Sequence, residues 1–491
     1  MKKKNSVKII QNVVAVLVLA ALGVALAFGV ILPYYNKHIA KNQSGETTED
    51  ASGTSGTTGN PQGGDKPEGE PPGGGFGGDS SDVSWSGATE ITSAEQTEGE
   101  TYTSTNADQN ALLIQTSDEV TIQNPTVKKT GGESASDSYS FYGINSGIMV
   151  KGGSTTNITG GTITTDAEGA NAVFSYGANR GQTNATGDGT TVNISDTTIK
   201  TTGNGSGGIM TTYGGTTNAT NLTIETDGGS SAPIRTDRGG GWVNVKGGTY
   251  TSNGQGSPAI YSTAEVKVSD ATLVSNASEG VCIEGTGSIE LTNCDLTANN
   301  HTLNGNATFY DTIMIYQSQS GDASDGTSSY TMTGGSLTSK NGDTFHVTNT
   351  NAQINLTGVK ITNSSEGALL SVCDDGWSGA SNVATLNASD QVLTGDILVG
   401  SNSTLTLNLK GKSTWTGKTS GKITNGKGTS VSTEIGTVDV TLESGSVWVL
   451  TGDCTVSSLS GAGTINYNGH TLTVGDKTYS SGSIGDVKET K

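Results

Sequence analysis

The chain has 491 residues, of which 73 are glycine, 31% are hydrophobic and 5% are aromatic, and its formal net charge is −20. A compact globule of this length needs more apolar volume for its core, whereas a solenoid with a thin axial core needs less. The acidic balance argues against a nucleic-acid partner, because phosphate repels an acidic surface.

The chain begins with a lysine-rich segment followed by an apolar one. Val13–Leu32 is a run of twenty uncharged residues, and as a helix rising about 1.5 Å per residue it would span a bilayer core about 30 Å thick. More lysines precede this run than follow it. The positive-inside rule therefore predicts a cytoplasmic segment 1–12, a single-pass membrane anchor 13–35, and an extracellular remainder.

A cleaved signal peptide is the alternative interpretation of this segment, since Ala25–Ala27 resembles a cleavage site. The apolar run continues beyond it through Phe28–Leu32, which favours the uncleaved anchor. The next segment, 36–82, is rich in glycine, proline and acidic residues. It has too few apolar residues to bury, so we expect a disordered tether.

Residues 83–376 are organised around a repeated pair of short strands joined by a Gly, Asn or Asp corner. The interval between undisturbed units is 23 to 26 residues, and a third apolar run follows each pair. A period of this size indicates a solenoid, and three strands per period leave no room for a helix. Apolar residues alternate within the strands, so one side of each faces inward. Ten-residue units begin at Thr156, Val192, Thr217, Val243, Val266, Ile289, Tyr330 and Ile354.

This pattern predicts an all-β right-handed parallel β-helix, with corresponding strands stacked in parallel about 4.8 Å apart. The coils over roughly 120–480 resemble the pectate-lyase-like β-helix superfamily, and in particular the Ser/Thr/Asn/Gly-rich adhesin-like surface proteins of bacteria. Longer steps mark polar insertions at 131–140, 179–189, 301–308 and 318–329, which we expect to project as loops.

Residues 377–491 are expected to form further coils and a C-terminal cap. The segments 407–417 and 440–450 match each other, which places Trp415 and Trp448 at equivalent positions in two coils. Residues 446–479 resemble the C-terminal part of autotransporter passenger β-helices, although the sequence lacks the outer-membrane barrel that follows in that family.

The four cysteines, Cys282, Cys294, Cys373 and Cys454, show no metal-binding spacing. Cys294 is expected to be a small residue packed inside its coil, and a Cys282–Cys294 disulfide is left open. If the chain were a lyase or a hydrolase, the resemblance implies a cluster of carboxylates in one site. In the lyases, this cluster binds calcium. The aspartates here are scattered at corners, so no catalytic set is predicted and no cofactor is expected, with calcium left open.

Candidate ligand-binding residues lie on the third strand of the coils. Aligned coil by coil, Met210, Arg235, Tyr261 and Glu284 share one outward position, and Asp237 and Arg238 extend it sideways. Two arginines beside an aromatic ring suit a carboxylated sugar. The structural alternative is a surface ladder in which Arg235 pairs with Glu284 across Tyr261.

The sequence contains two further polar features. His346 with Asp374-Asp375 would form a second patch further along the same face, unless turn formation explains these aspartates. A row of hydroxyls falls at inward-facing positions, which disfavours an ice-binding surface; it comprises Thr165, Thr201, Thr226, Ser252, Ser275 and Ser339.

The expected function is that of a membrane-anchored, non-catalytic surface protein, adhesin-like or carbohydrate-binding. Its partner would be an extracellular glycan or the surface of a host or neighbouring cell. The alternatives are a polysaccharide lyase or glycoside hydrolase of the same fold, and a structural spacer. The missing carboxylate cluster distinguishes the first class from the enzymes.

Overall fold

The computed structural model describes residues 83–132, 141–179 and 186–490, which contain 47 β-strands. Up to residue 363, each strand belongs to a different sheet from the one before it and to the same sheet as the third strand before it. The chain therefore winds through three parallel sheets in turn, which confirms the all-β parallel β-helix.

Sheet 1 is built from the third strand of each coil and has 13 strands, and neighbouring strands are parallel. They are β1 (Gly87–Ile91), β4 (Asn110–Gln115), β7 (Ile148–Lys151), β10 (Val173–Tyr176), β13 (Ile209–Thr212), β16 (Ile234–Thr236), β19 (Ile260–Ser262), β22 (Val281–Glu284), β25 (Asp311–Tyr316), β28 (Asp343–Thr348), β31 (Leu370–Val372), β34 (Ile397–Val399) and β37 (Thr419–Ser420).

Sheet 2 is built from the first strand of each predicted unit and has 14 strands. They are β2 (Glu95–Glu98), β5 (Glu119–Gln123), β8 (Thr155–Thr159), β11 (Thr191–Ser195), β14 (Gly215–Thr220), β17 (Gly241–Lys246), β20 (Glu265–Ser269), β23 (Ser288–Thr292), β26 (Thr327–Thr333), β29 (Asn351–Thr357), β32 (Asn382–Ser389), β35 (Ser403–Lys410), β40 (Thr437–Leu442) and β43 (Ser458–Gly461).

Sheet 3 is built from the second strand of each unit and has 10 strands. They are β3 (Thr101–Ser104), β6 (Thr126–Lys129), β9 (Thr162–Thr165), β12 (Thr198–Thr201), β15 (Thr223–Thr226), β18 (Thr249–Ser252), β21 (Thr272–Ser275), β24 (Asp295–Ala298), β27 (Ser336–Ser339) and β30 (Lys360–Asn363).

Three smaller sheets complete the C-terminal part. The strands of the first are β33 (Val392–Thr394), β36 (Thr414–Thr416), β41 (Val447–Val449), β44 (Thr464–Asn466) and β47 (Lys488–Glu489). The second is an antiparallel pair, β38 (Ile423–Thr424) and β39 (Ser430–Ser432). The third consists of β42 (Cys454–Val456), β45 (Leu472–Val474) and β46 (Lys477–Tyr479), and its last pair is antiparallel.

The core follows the predicted alternation. In β15, Ile224 is buried while its neighbour Thr223 is exposed, and Ile224 stands in register with Ile199 of the preceding coil and Tyr250 of the next. Because every coil repeats this arrangement, the inward side chains stack into one continuous apolar column. The inward hydroxyl row predicted from the sequence is buried at all six of its positions: Thr165, Thr201, Thr226, Ser252, Ser275 and Ser339.

The corners between sheets 2 and 3 account for many of the glycine, asparagine and aspartate residues of the coils. Asp196, Asn221 and Asp270 have φ values of 53°, 51° and 56° there, and other coils place glycine at this corner. Aspartate, asparagine and glycine tolerate this left-handed conformation better than other residues do. Asp196 and Asp270 are therefore accounted for as corner residues.

Trp415 and Trp448 occupy equivalent positions, as predicted. They are in register in β36 and β41, both are fully buried, and their rings stack with centroids 4.6 Å apart. Each indole nitrogen donates to the carbonyl of a glycine in the preceding turn, Gly395 and Gly417 respectively. This pair fills the axis of the C-terminal coils.

The predicted anchor 13–35, the tether 36–82 and parts of the first two insertions lie outside the described residues. Within the ranges that the structure describes, no helix is long and apolar enough to span a membrane. The thiols of all four cysteines are buried and free, so Cys282 and Cys294 are not joined by a disulfide. Cys294 packs in the core of its coil, as expected.

Candidate functional site

Three loops fold over the outer face of sheet 1. The outward side chains of this sheet therefore form a second buried layer, which is partly polar. We name the loops by their connections: loop 1 (299–310) joins β24 to β25, loop 2 (317–326) joins β25 to β26, and loop 3 (373–381) joins β31 to β32. Loops 1 and 2 correspond to insertions predicted from the sequence. They cover the face on which the candidate ligand-binding residues lie.

One row of outward side chains runs along this face in strict register. Arg235 and Tyr261 share the row, as predicted, but the next position is occupied by Cys282 rather than Glu284. Glu284 instead pairs with Tyr316, two residues further along β22. Placing Glu284 beside Tyr261 would align Ile283 with Ile260, whereas the structure pairs Val281 with Ile260. From β13 to β31 the row consists of Met210, Arg235, Tyr261, Cys282, Met314, His346 and Ser371.

Burial of this row corrects a second expectation. The sequence predicted that Arg235 and Glu284 face water, yet they are only 7% and 1% exposed, and Asp237 is 2% exposed. Loop 2 is the physical reason. The Arg238 Nε donates to Asp322 Oδ1 at 2.5 Å, and the Ser318 hydroxyl donates to Glu284 Oε1, so both bonds hold the loop against the face.

The arginines are paired, but not as the predicted surface ladder. Arg235 Nη2 lies 2.9 Å from Asp237 Oδ2, and its Nη1 donates to the carbonyl of Ser230 at 3.2 Å. The Arg235 guanidinium lies 5.7 Å from the centre of the Tyr261 ring, and that of Arg238 lies 3.6 Å from the Phe141 ring. The predicted Arg235–Glu284 pair is therefore replaced by Arg235–Asp237.

Glu284 organises an aromatic strip, which we define as Tyr261, Tyr316 and Trp377. Its Oε2 accepts from the Tyr261 hydroxyl at 2.5 Å and from the Tyr316 hydroxyl at 3.2 Å. The Trp377 ring packs against Tyr316, with centroids 4.9 Å apart. All three aromatic side chains remain partly exposed. One buried carboxyl thus fixes two rings, and the third ring packs on the second.

A second polar group lies further along the face. His346 Nδ1 is 2.8 Å from Ser371 Oγ, the Ser371 hydroxyl donates to Asp343 Oδ2 at 2.6 Å, and His346 Nε2 is 3.3 Å from Asp375 Oδ2. Phe309 of loop 1 stacks on His346, with ring centroids 4.4 Å apart. The predicted patch thus contains His346 and Asp375.

Asp374, the third residue of that predicted patch, points elsewhere. It is exposed and accepts a hydrogen bond from the Asn382 side chain. Although a serine, a histidine and an aspartate recur in hydrolases, Ser371 and His346 are fully buried beneath loop 1. The geometry therefore supports a structural role, in which the group anchors the loops.

Several of these residues were not found from the sequence. Tyr316, Asp322 and Trp377 lie in or beside the loops, where the repeat period gives no alignment, whereas Asp343 and Ser371 lie in strands β28 and β31. Two signals were available: Trp377 is an aromatic residue in an otherwise polar loop, and Asp343 follows a glycine corner at the start of a strand. Within the described ranges, no group of three or more His, Cys, Asp or Glu side chains is arranged to hold a metal ion.

The buried carboxyls make stability depend on pH. Burial raises the pKa values of Glu279, Glu284, Asp311 and Asp343, whereas the pKa of Asp375 is lowered by His346 against the effect of its burial. A carboxyl with a raised folded-state pKa keeps its proton in the folded state above the unfolded value of about 4. Stability from these four groups therefore falls as pH rises from about 4 through their folded pKa values.

We expect the melting temperature of the protein to fall as pH is raised from 5 to 8. Within the interval of its shift, each such carboxyl changes the free energy of unfolding by about 1.4 kcal/mol per pH unit. Differential scanning calorimetry across this range measures the slope. Asp311→Asn should reduce the slope, and the exposed Asp374→Asn should leave it unchanged. A melting temperature that rises between pH 5 and 8 would contradict the expectation.

Comparisons of the chain with protein-family models, with curated proteins and with solved structures found no match.

Proposed function

We propose that this chain is a membrane-anchored, cell-surface β-helix protein that binds glycans without transforming them. The observation that carries the proposal is the aromatic strip of Tyr261, Tyr316 and Trp377. Aromatic rings stack on the apolar faces of sugar rings, and rings that are already held in place lose little conformational entropy on binding. Glu284 holds two of these rings through their hydroxyls.

The charge pattern beside the strip favours an uncharged part of the glycan. Arg235 is paired with Asp237, and Arg238 is paired with Asp322. The local charges therefore cancel in pairs, and the arginines offer less to a carboxylate than the sequence suggested. The polar rim of loop 2, including Ser320 and Asp322, would supply hydrogen bonds to sugar hydroxyls.

The hydrogen bonds of the buried carboxyls support a protein that binds glycans without catalysis. Glu284 accepts hydrogen bonds from two tyrosines and from Ser318, and Asp343 accepts from Ser371 and from the backbone of Ala368. A general acid or base must reach the substrate. These carboxyls are directed at internal donors, which supports binding over hydrolysis or elimination.

Replacing Trp377 with alanine is expected to weaken binding of soluble oligosaccharides by the full chain at least tenfold, about 1.4 kcal/mol. The reason is the loss of one stacking ring at a partly exposed position. A glycan array selects the oligosaccharide, and titration calorimetry measures its affinity for each variant.

Trp85→Ala is the matched control, because Trp85 is a partly exposed tryptophan that packs on Tyr142 and Tyr176, outside the aromatic strip. It should leave the affinity for the same oligosaccharide unchanged. Equal affinities of the parent and Trp377→Ala would exclude the strip as the binding site. Turnover of the bound oligosaccharide would replace the proposal with the enzyme alternative.

A further inference from the structure

The outer face of sheet 2 carries a row of asparagines whose side chains are bonded to one another. Asn193 Nδ2 donates to Asn157 Oδ1 at 2.8 Å, Asn218 donates to Asn193 at 2.9 Å, and Asn244 donates to Asn218 at 2.9 Å. These residues are in register on successive strands. All amides of the row therefore point the same way along the helix axis.

A second row of the same kind lies further along the same sheet. Asn387 Nδ2 donates to Asn355 Oδ1 at 3.0 Å, and Asn408 donates to Asn387 at 2.9 Å, while Asn355 donates to the hydroxyl of Thr331 at 3.1 Å. We call the two rows the asparagine ladders. Both lie in the same register row of sheet 2, and Lys267, Glu290 and Thr331 occupy the positions between them.

Hydroxyl side chains flank Asn157, Asn193 and Asn218 on both sides, whereas Trp242 and Lys246 flank Asn244. The outward positions of β8, β11 and β14 carry only asparagine, threonine and serine, on a chain whose net charge is −20. These nine positions are Thr155, Asn157, Thr159, Thr191, Asn193, Ser195, Thr216, Asn218 and Thr220. The face is thus flat, polar and uncharged over three consecutive strands.

Charged side chains on this face lie between the ladders, at β17, β20 and β23, and also at the borders of the ladders, where Glu119 of β5 precedes the first and Lys410 and Asp439 lie beside the second. An open groove of about 390 Å³ lies between the ladders, lined by Asn218, Asn244, Lys246, Lys267 and Glu290 among others. Lys267 pairs with Glu265 at 2.6 Å. Both signs of charge are present, so this middle section does not select an anion.

We propose that the ladders of sheet 2 form a second binding surface, for an ordered, uncharged polysaccharide such as the surface of an insoluble neutral glucan. Each interior ladder amide, Asn193, Asn218 and Asn387, uses one N–H and one oxygen lone pair within the row, which leaves one donor and one acceptor for a ligand. These groups repeat about every 4.8 Å. A polymer with regularly repeating hydroxyls matches such an array over many contacts.

The side chains on this face favour an uncharged polysaccharide over a charged polymer or a protein. A charged polymer would lose hydration without meeting an opposite charge on β8, β11 or β14. A protein partner would require apolar or aromatic anchors at the centre of the interface, where β8, β11 and β14 present only hydroxyls and amides. Each single contact is weak, but many in register add up by multivalency, and the side chains are already ordered.

Pelleting of the full chain with microcrystalline cellulose tests the proposal. We expect binding that persists in 1 M sodium chloride and weakens at least tenfold in Asn193→Asp/Asn387→Asp, which places one carboxylate in each ladder and removes its donor. Thr216→Lys/Thr385→Lys, which puts long charged side chains on the flat face, should weaken it similarly. Far-UV circular dichroism verifies folding of each variant.

The matched control is Thr198→Asp/Thr362→Asp, which adds the same charge at exposed positions of sheet 3 and should pellet like the parent. Trp377→Ala should also pellet normally, because this surface does not depend on the aromatic strip of the proposed function. The inference is overturned if the parent does not pellet, if both ladder variants pellet like the parent, or if 1 M salt abolishes binding. Inhibition of ice recrystallisation without pelleting would assign the face to ordered water instead.

Discussion

Replacing Ile224 with aspartate is expected to destabilise the β-helix by at least about 4 kcal/mol. Ile224 is 1% exposed and stands in the apolar column between Ile199 and Tyr250. The new carboxylate would enter the axis among apolar side chains. Because each coil is stabilised by its neighbours, damage to one coil also weakens the stacking on both sides.

Chemical denaturation followed by circular dichroism measures this effect on the full chain. Thr223→Asp is the matched control, since it introduces the same residue one position earlier in the same strand, at an exposed site. We expect it to cost less than about 1 kcal/mol. Similar losses for the two variants would mean that the alternation of β15 does not place Ile224 inside.

The fold could be predicted because each part of the coil has its own signal in the sequence. Alternation fixed the inward face of each strand, as at Val192 and Ile194, and corner residues such as Asp196 marked the ends of strands. The period then required that equivalent strands stack. Each of these signals is local or repeats at short range, so no long-range contact had to be guessed.

The candidate site was harder to predict for two physical reasons. Cys282 and Glu284 have the same parity in β22, so alternation alone could not decide which of them aligns with Tyr261. The loops that cover sheet 1 do not follow the period, and their contacts are long-range. The bond between Arg238 and Asp322, for example, spans 84 residues.

The covered face also explains how an acidic chain can hold several carboxyls out of water. Glu284 and Asp343 accept hydrogen bonds from neighbouring hydroxyls, and raised pKa values allow them to stay neutral. Asp375 differs, because a histidine faces it. It should therefore be the carboxyl of this layer whose removal is most costly.

Replacing Asp375 with alanine is accordingly expected to cost about 3 kcal/mol or more. Its buried Oδ1 accepts from the backbone and hydroxyl of Thr308, at 2.8 and 2.6 Å, and from the backbone of Gly376 at 2.7 Å. Its Oδ2 faces His346 Nε2 at 3.3 Å. The substitution would leave these donors without their acceptor and would release loop 1 from loop 3.

Asp375→Ala should lower both the free energy of unfolding of the whole chain and the protection of loop 1 from hydrogen exchange. Burial acts to raise the pKa of Asp375, but the hydrogen bonds and the charge of His346 lower it overall. Its contribution is therefore present above the unfolded pKa of about 4 and is lost as pH falls through the lower folded value. Hydrogen exchange at neutral pH should show loop 1 (299–310) losing protection in Asp375→Ala.

Asp374→Ala provides the control, because it removes an exposed carboxylate one residue earlier that accepts a single hydrogen bond from Asn382. We expect it to cost no more than about 1 kcal/mol and to leave exchange in loop 1 unchanged. If Asp375→Ala left both the unfolding free energy and the protection of loop 1 intact, the bond between loops 1 and 3 would not be what holds loop 1 over His346. The stacking of Phe309 on His346 would then have to supply that stability by itself.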